Sequence, residues 1–369
     1  MDITYKLPHP VRMKCSEFAE MELQAQDRIY SQVFDPEEVK SYSSDHLVAL
    51  LQHRAPGLFD YYRRTAKTDH DALITMSSTI APYRFRTQEG NIITTSTLID
   101  RLLEQVDIGD DIPIAYLRPP FKHCYIEFTE DRSSSIMLYN EETHEHILEG
   151  VYISETEVQP ETEIMEFYKG NPTVDPLKPL RILDLMFTGS PLGKSHNADD
   201  ALRIQGFYIQ DDNMLTINDE LRRVESLYGN DVDFSGDMNY LSMALNHMAK
   251  VLLFINCRQY RDTAFNERKD LLKRIESLKS PAKIRKYESK LRKTYDRIII
   301  KPVDNVVYER GAEHESAENQ PLKRAHWRKG HFRMQPYGVG ASKRKVIFIE
   351  PTVVGGIFAN KKSYDVRTK

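Results

Sequence analysis

Apolar side chains recur every three or four positions over residues 16–55, which is the spacing of an amphipathic helix. Ser16 is placed to cap a first helix, which ends before Asp35-Pro36. Ser44 or Asp45 begins a second helix, which Pro56-Gly57 closes. The pattern therefore predicts a helical start to the chain.

From about residue 79 the pattern changes to short runs rich in β-branched and aromatic residues, which is typical of strands. Ser96 is placed to cap a helix over 96–106. These runs predict a mainly antiparallel sheet over residues 80–210. The predicted strands are 80–86, 125–128, 136–139, 147–153, 181–187 and 203–209.

Helical spacing returns after residue 215, with helices predicted over 216–228 and 237–257. A hairpin of two basic helices follows, in which Ser280-Pro281 ends the first helix and begins the second. Its apolar stripes are predicted to be core. Strands are predicted over 297–300 and 345–356.

The predicted fold class is α+β, with a helical N-terminus, a central mainly antiparallel sheet, a basic helical hairpin and C-terminal strands. We divide the chain into three regions. They are a helical region (1–78), an acidic sheet region (79–235) and a basic module of helical hairpin and strands (236–369).

With 369 residues, 40% of them hydrophobic, the chain can bury a large core. Its cysteines lie far apart and form no Cys-x-x-Cys pair, which fits a reducing cytosol and predicts no zinc site. The N-terminus lacks a signal-peptide pattern, and the most apolar run, 240–255, is too short to cross a bilayer. We expect a soluble protein without cofactor, metal or membrane partner.

Charge is separated along the chain. Residues 1–240 carry 22 Lys and Arg against 42 Asp and Glu, whereas residues 241–369 carry 29 against 13. A field of one sign steers oppositely charged molecules. This pattern indicates a partner-binding protein, and a plain solvated face is the alternative.

The densest basic stretch has no Asp or Glu between Pro321 and Ile349. Cations, imidazoles and aromatic rings are mixed there, as pairing with phosphates and stacking on bases require. The helical hairpin adds further lysines. The predicted nucleic-acid or partner-binding residues are Lys323, Arg324, His326, Trp327, Arg328, Lys329, His331, Phe332, Arg333, Lys343, Arg344, Lys345, Lys283, Lys286 and Lys290.

Two histidines in this stretch suggest a rival, enzymatic function. Imidazole titrates near neutral pH, so His326 and His331 are the catalytic candidates if the protein is a ribonuclease. The turn at Gly330 between them does not place two ligands on one helical turn, so no metal site is predicted. The sequence fixes no second acid–base partner, and we prefer binding to cleavage. A general phage nucleic-acid-binding protein is the third possibility.

Two other segments invite a functional interpretation. Residues 189–195 end like a phosphate-binding loop but are one residue short of its glycine spacing, so we interpret them as a Gly/Pro turn. Between Glu141 and Glu166 there are nine glutamates and no Lys or Arg. They lie on and beside the strand predicted at 147–153, which we interpret as a solvated edge strand protected by charge. The alternative is a surface that mimics nucleic-acid phosphate or binds a basic partner.

Several residues of the last third form a recognisable set, namely the apolar run 251–256, the charged hairpin, Gly330-His331-Phe332-Arg333, Gln335, Tyr337-Gly338-Val339-Gly340, Pro351 and Gly355. Over 236–369 the chain resembles the second-described type V-A anti-CRISPR family and the phage and plasmid proteins that share its C-terminal module. The family pattern commonly reads Gly-His-Trp-Arg. Here Phe332 takes the place of the tryptophan and Trp327 lies upstream, so either ring is a candidate for stacking.

The resemblance implies an anti-CRISPR protein of a mobile genetic element that acts in the cytoplasm of the bacterial host. It implies inhibition of a type V-A CRISPR effector nuclease through the effector's nascent N-terminal peptide, with loss of the encoding mRNA. RNA or the ribosome would be further partners, and RNA would be cut by the protein itself or by a recruited host nuclease. A basic region suits RNA, and an acidic region with a sheet edge suits addition of a peptide strand.

Overall fold

The computed structural model describes residues 17–65, 68–129, 136–140, 144–191, 203–210, 215–228, 235–257, 260–291, 294–302 and 326–354. The fold is α+β, as predicted. No helix in these ranges is long and apolar enough to cross a membrane.

The described chain contains the following helices, several of which coincide with predicted ones. They are α1 (Glu17–Val33), α2 (Pro36–Ser41), α3 (Ser44–Arg54), α4 (Pro56–Thr65), α5 (Asp69–Thr87), α6 (Thr97–Glu104), α7 (Glu163–Tyr168), α8 (Ile217–Tyr228), α9 (Ser235–Cys257), α10 (Glu267–Glu276) and α11 (Pro281–Leu291).

The strands fall into three sheets. They are β1 (Asn91–Thr94), β2 (Val106–Ile108), β3 (His123–Glu127), β4 (Met137–Asn140), β5 (His144–Val158), β6 (Leu180–Pro191), β7 (Arg203–Ile209), β8 (Tyr260–Phe265), β9 (Arg297–Pro302), β10 (His326–Arg328), β11 (Gly330–Tyr337), β12 (Lys343–Ile349) and β13 (Thr352–Val354).

Local capping explains where the predicted helices begin. The Ser43 hydroxyl accepts a hydrogen bond from the His46 backbone N–H and caps α3, and Ser96 caps α6 in the same way. Pro56, which was predicted to close a helix, also takes the first position of α4, where its missing N–H is no loss.

The strand predicted at 80–86 is wrong, because these residues form the end of α5. The alternation that suggested a strand arises because this part of α5 is buried on several sides. Tyr83 packs on Tyr30 of the N-terminal helices, with ring centroids 5.1 Å apart, and Phe85 packs on Tyr152 of the sheet. Between them the fully buried Arg84 donates to Asp184 at 3.0 Å.

The large sheet has the strand order β7-β6-β5-β3-β1-β9-β8, with β4 paired to β5. Its pairs are antiparallel, except that β1 is parallel to both β3 and β9. The prediction of a mainly antiparallel sheet is confirmed. β8 and β9 come from the region after residue 235, so the sheet contains strands from two of the predicted regions.

The strand predicted at 147–153 is confirmed as part of β5. Its interpretation as an edge strand is wrong, because β5 lies inside the sheet between β3 and β6. Leu148, Val151 and Tyr152 are all buried, and their burial requires cover on both faces. Glu155 near the end of β5 pairs with Arg181 at 2.9 Å. That charge is used within the fold rather than offered to a partner.

The two faces of the sheet carry different cores, because successive side chains of a strand point to opposite sides. On one face Tyr125 and Tyr152 pack with Phe85 of α5. On the other face Ile126 and Val151 join the main core, to which α9 contributes most of its length. β12, β11 and β2 form a separate, small sheet. Because α9 contacts both β4 of the large sheet and β12 of this small sheet, it is apolar on nearly all sides.

The helical hairpin of α10 and α11 is less buried than predicted. Among the described residues Leu271 is the one buried position on α10, and α11 has none. Arg268 anchors the hairpin, since it donates to the backbone oxygen of Leu291 and its own N–H donates to Asp296. Most of the hairpin surface is therefore exposed, and its stripes are half-buried rather than core.

Candidate functional site

β11 and β12 form an antiparallel pair joined by a turn. We call this whole segment, residues 330–349, the basic ribbon. The first three residues of β11 also pair in parallel with β2, which joins the ribbon to the protein body. Side chains directly opposite each other in such a pair share a face. The outward face carries the pairs His331–Ile349, Arg333–Ile347, Gln335–Lys345 and Tyr337–Lys343.

The inward face holds the ribbon on the core. Phe332, Met334 and Phe348 are buried, and Phe348 contacts Phe254 of α9 with ring centroids 5.4 Å apart. The prediction that Phe332 contacts a partner or stacks on a base is therefore corrected. Its ring is 0% exposed and is part of the core.

The exposed cations of this surface are Arg328, Lys329, Arg333, Lys343, Arg344 and Lys345. Lys329 lies 3.6 Å from Asp107 across an exposed surface. The other five have no carboxylate partner among the residues that the structure describes. Their N–H groups are available to the phosphate or carboxylate oxygens of a partner.

Two polar contacts order the outward face. Arg333 donates to the amide oxygen of Gln335 at 3.0 Å, and the Lys345 ammonium lies 5.6 Å from the centre of the Tyr337 ring. The Tyr337 ring is 44% exposed. It offers a stacking surface next to cations, which is the combination that single-stranded nucleic acids use.

Glycines shape the two ends of the ribbon. Gly338 has φ 82° in the turn, a conformation that residues with a side chain rarely adopt. At the other end a Cβ on Gly330 would lie 2.8 Å from the Pro351 ring. The backbone angle at Gly338 and the close approach of Gly330 to Pro351 give a structural reason for these three residues, which belong to the set that carries the family resemblance.

The structure divides the predicted site among three places, namely α11, the ribbon and β10. Lys283, Lys286 and Lys290 are exposed along one stripe of α11, whereas the ribbon belongs to the small sheet. His326 and Trp327 lie in β10, which pairs with β13, and their side chains fall outside the described part. Lys323 and Arg324 also lie outside the described residues.

Acid–base chemistry finds little support in the surroundings of His331. Its neighbours in register are Ile349 on β12 and Asp107 on β2, and Arg333 follows along the same face. Asp107 pairs with Lys329 at 3.6 Å, and His331 forms no hydrogen bond or ion pair with a described residue. No group of three or more His, Cys, Asp or Glu side chains in the described ranges is placed to share a metal ion.

Sequence reasoning did not include Gln335, Tyr337 and Val339 among the site residues. All three lie on the ribbon, and Val339 at its tip is 96% exposed. The signal was the period-two alternation in which Phe332 and Met334 are apolar and their neighbours polar. Interpreted as a strand, it sorts this stretch into an inward and an outward face.

The AcrVA2-like family, described as the Anti-CRISPR type V subtype A2 family, matches residues 94–356. No curated protein matches the chain. A similar solved structure is titled "Crystal structure of AcrVA2", with a TM-score of 0.43 and 12% identity over 89% of this chain and 97% of that chain.

The family match spans the basic ribbon, the helical hairpin and all of the large sheet except most of β1, and it covers well over half of the chain. It confirms the resemblance that the last third of the sequence indicated. The chain therefore belongs to the AcrVA2-like family of anti-CRISPR proteins.

Proposed function

We propose that this protein inhibits a type V-A CRISPR effector by recognising the effector's nascent N-terminal peptide and lowering its mRNA and protein level in the bacterial cytoplasm. Its anti-CRISPR role follows from the family. The observation that supports a step at RNA is a set of exposed cations without a carboxylate partner among the described residues. They are four residues of the basic ribbon, Arg333, Lys343, Arg344 and Lys345, and the nearby Arg328.

RNA is the polyanion that this surface suits, whether in the transcript or at the ribosome. Lys343 and Lys345 are alternate residues of β12, about 7 Å apart, so both can contact phosphates of one strand. Tyr337 lies beside them as a platform for a base. The surface lacks a module that reads base edges, so we expect weak sequence preference.

We assign binding rather than cleavage to the ribbon, because His331 forms no hydrogen bond or ion pair with a described acid or base. Ile349 lies opposite it on β12, and Asp107, in register on β2, pairs with Lys329. A labelled transcript incubated with the purified protein should therefore remain intact, with any loss of mRNA in cells carried out by a host nuclease. Cleavage by the purified protein that disappears in His331→Gln would contradict this assignment.

Two recoded effector genes test whether the peptide or the RNA is read. One gene keeps the N-terminal peptide but changes every synonymous codon of that segment. The other keeps nearly the same RNA but shifts the reading frame across the segment and restores it afterwards. We expect effector mRNA to fall with the first gene and not with the second. The opposite pattern would show that the RNA sequence is recognised and would overturn the proposal.

A further inference from the structure

β8 forms an open edge of the large sheet. Among the described residues it pairs with β9 alone. Asp262, Thr263, Ala264 and Phe265 are all exposed, although neighbouring side chains point to opposite faces. At the other edge, by contrast, β7 buries alternate residues. An edge that is open on both faces is a template for a further strand.

The hydrogen bonds between β1 and β9 show which backbone groups of β9 point toward β8. The N–H of Ile92 in β1 donates to the backbone oxygen of Asp296 at 3.0 Å, and Ile92 is in register with Arg297. In a parallel pair this means that Arg297 directs its own N–H and C=O away from β1, toward β8.

The free backbone groups of β8 follow from this orientation. Arg297 is opposite Phe265, so Phe265 and, two residues along, Thr263 bond to β9. Asp262 and Ala264, which alternate with them, direct their N–H and C=O outward. β8 contains no lysine or proline that would block pairing there.

A cavity of about 470 Å³ opens at the start of this edge. Its lining comes from Pro120, Ile255, Asn256, Tyr260 and Asp262, and it combines apolar side chains with several polar groups and one carboxylate. Tyr260 and Asp262 share one face of β8. Asp262 has no ion pair with any described residue. This lining suits the aliphatic stem and the ammonium group of a lysine.

We infer that the outer edge of β8 binds an extended peptide as an added strand, with a lysine side chain of that peptide in the cavity beside Asp262. Backbone bonds to Asp262 and Ala264 hold the strand, and the cavity selects its side chain. The inference rests on the proposed function, since the occupant we commit to is the N-terminal peptide of the effector. It places strand addition at β8 instead of the interior strand β5.

A matched pair of variants at one position tests the edge. Ala264→Pro removes the outward N–H and leaves the bonds between β8 and β9 in place, whereas Ala264→Val keeps the N–H. Binding of a fluorescein-labelled synthetic peptide with the effector's N-terminal sequence is measured by anisotropy. We expect Ala264→Pro to weaken binding about tenfold or more, the loss of one backbone hydrogen bond. Ala264→Val should bind like the wild type.

Two further measurements do not depend on how well the proline variant folds. Hydrogen exchange on the wild type should show new protection of the Asp262 and Ala264 amides when peptide is bound. Acetylating the lysines of the peptide should weaken its binding to the wild type but not to Asp262→Asn.

The outcomes separate this inference from the proposed function. If the wild type binds the peptide, but the two Ala264 variants bind equally and the β8 amides stay unprotected, the inference is overturned and the proposed function stands. If the wild type does not bind the peptide at all, both are overturned.

Discussion

Phe332 and Phe348 face each other across β11 and β12 with ring centroids 4.9 Å apart, and both side chains are buried. Because side chains alternate along a strand, this pair turns the neighbouring His331 and Arg333 to the opposite side. The packing of the inward face therefore determines which cations the ribbon presents to a partner.

Phe332→Ala should lower the free energy of unfolding by about 3–5 kcal/mol, because it leaves a cavity between the ribbon and α9. His331→Ala on the outward face is the matched control and should change it by less than about 1 kcal/mol. Urea denaturation measures both. Equal stability of the two variants would contradict the orientation of β11 described here.

RNA binding by the ribbon should depend steeply on salt. For about five phosphate contacts with single-stranded RNA, the slope of log K against log salt should be about −3.5. Arg333→Glu with Lys345→Glu should make it shallower by about 1.4, the loss of two contacts. The control, Lys122→Glu with Lys178→Glu, makes the same charge change at exposed positions elsewhere and should leave the slope unchanged. A flat salt response of the wild type would rule out binding led by phosphates.

The ion pair of Arg84 and Asp184 should be essential for stability. Arg84→Met leaves the Asp184 carboxylate buried without its charge partner, which should cost about 3–5 kcal/mol. Adding Asp184→Leu removes that charge and should recover most of the loss. Thermal or urea unfolding of the wild type, Arg84→Met and the double variant tests this. An Arg84→Met protein as stable as the wild type would contradict it.

His123 should make folding stability depend on pH. Its burial, together with the nearby charges of Arg84 and Lys122, lowers the pKa of the imidazole from 6.5 to about 3. Between these values the unfolded chain binds a proton that the folded protein does not, so stability falls as the pH falls through this window. His123→Gln keeps a polar group beside Ser154 and should flatten this part of the curve. Melting temperatures across the window measure it, and an unchanged slope would mean that His123 is protonated in the fold.

Two kinds of element were predicted well from the sequence. One is a strand whose apolar side chains alternate because one face is buried, and the other is a helix that is buried on nearly all sides. β7 spans the predicted residues, and α9 was recognised from its apolar run. The end of α5 was missed because its side chains contact two cores and include the buried Arg84, so their pattern has no single helical face.

The candidate site was found only in part from the sequence. The cations of the ribbon were selected because no acid interrupts them, but their interpretation as a run of charge hid the strand that buries Phe332. The pairing of β11 with β2 joins residues more than two hundred positions apart, and no local pattern reports it. The open edge at β8 is likewise a property of the whole sheet, since it depends on which strands pair.

The central claim is that the outward face of the basic ribbon is required for inhibition. The most direct test is the level of effector mRNA and protein in bacteria that carry a type V-A effector gene. Wild type, Arg333→Glu with Lys345→Glu, and the control Lys122→Glu with Lys178→Glu should be expressed at equal soluble levels. We expect effector mRNA and protein to fall with the wild type and the control and to be restored with the ribbon variant. An equally strong fall with the folded ribbon variant would contradict the account.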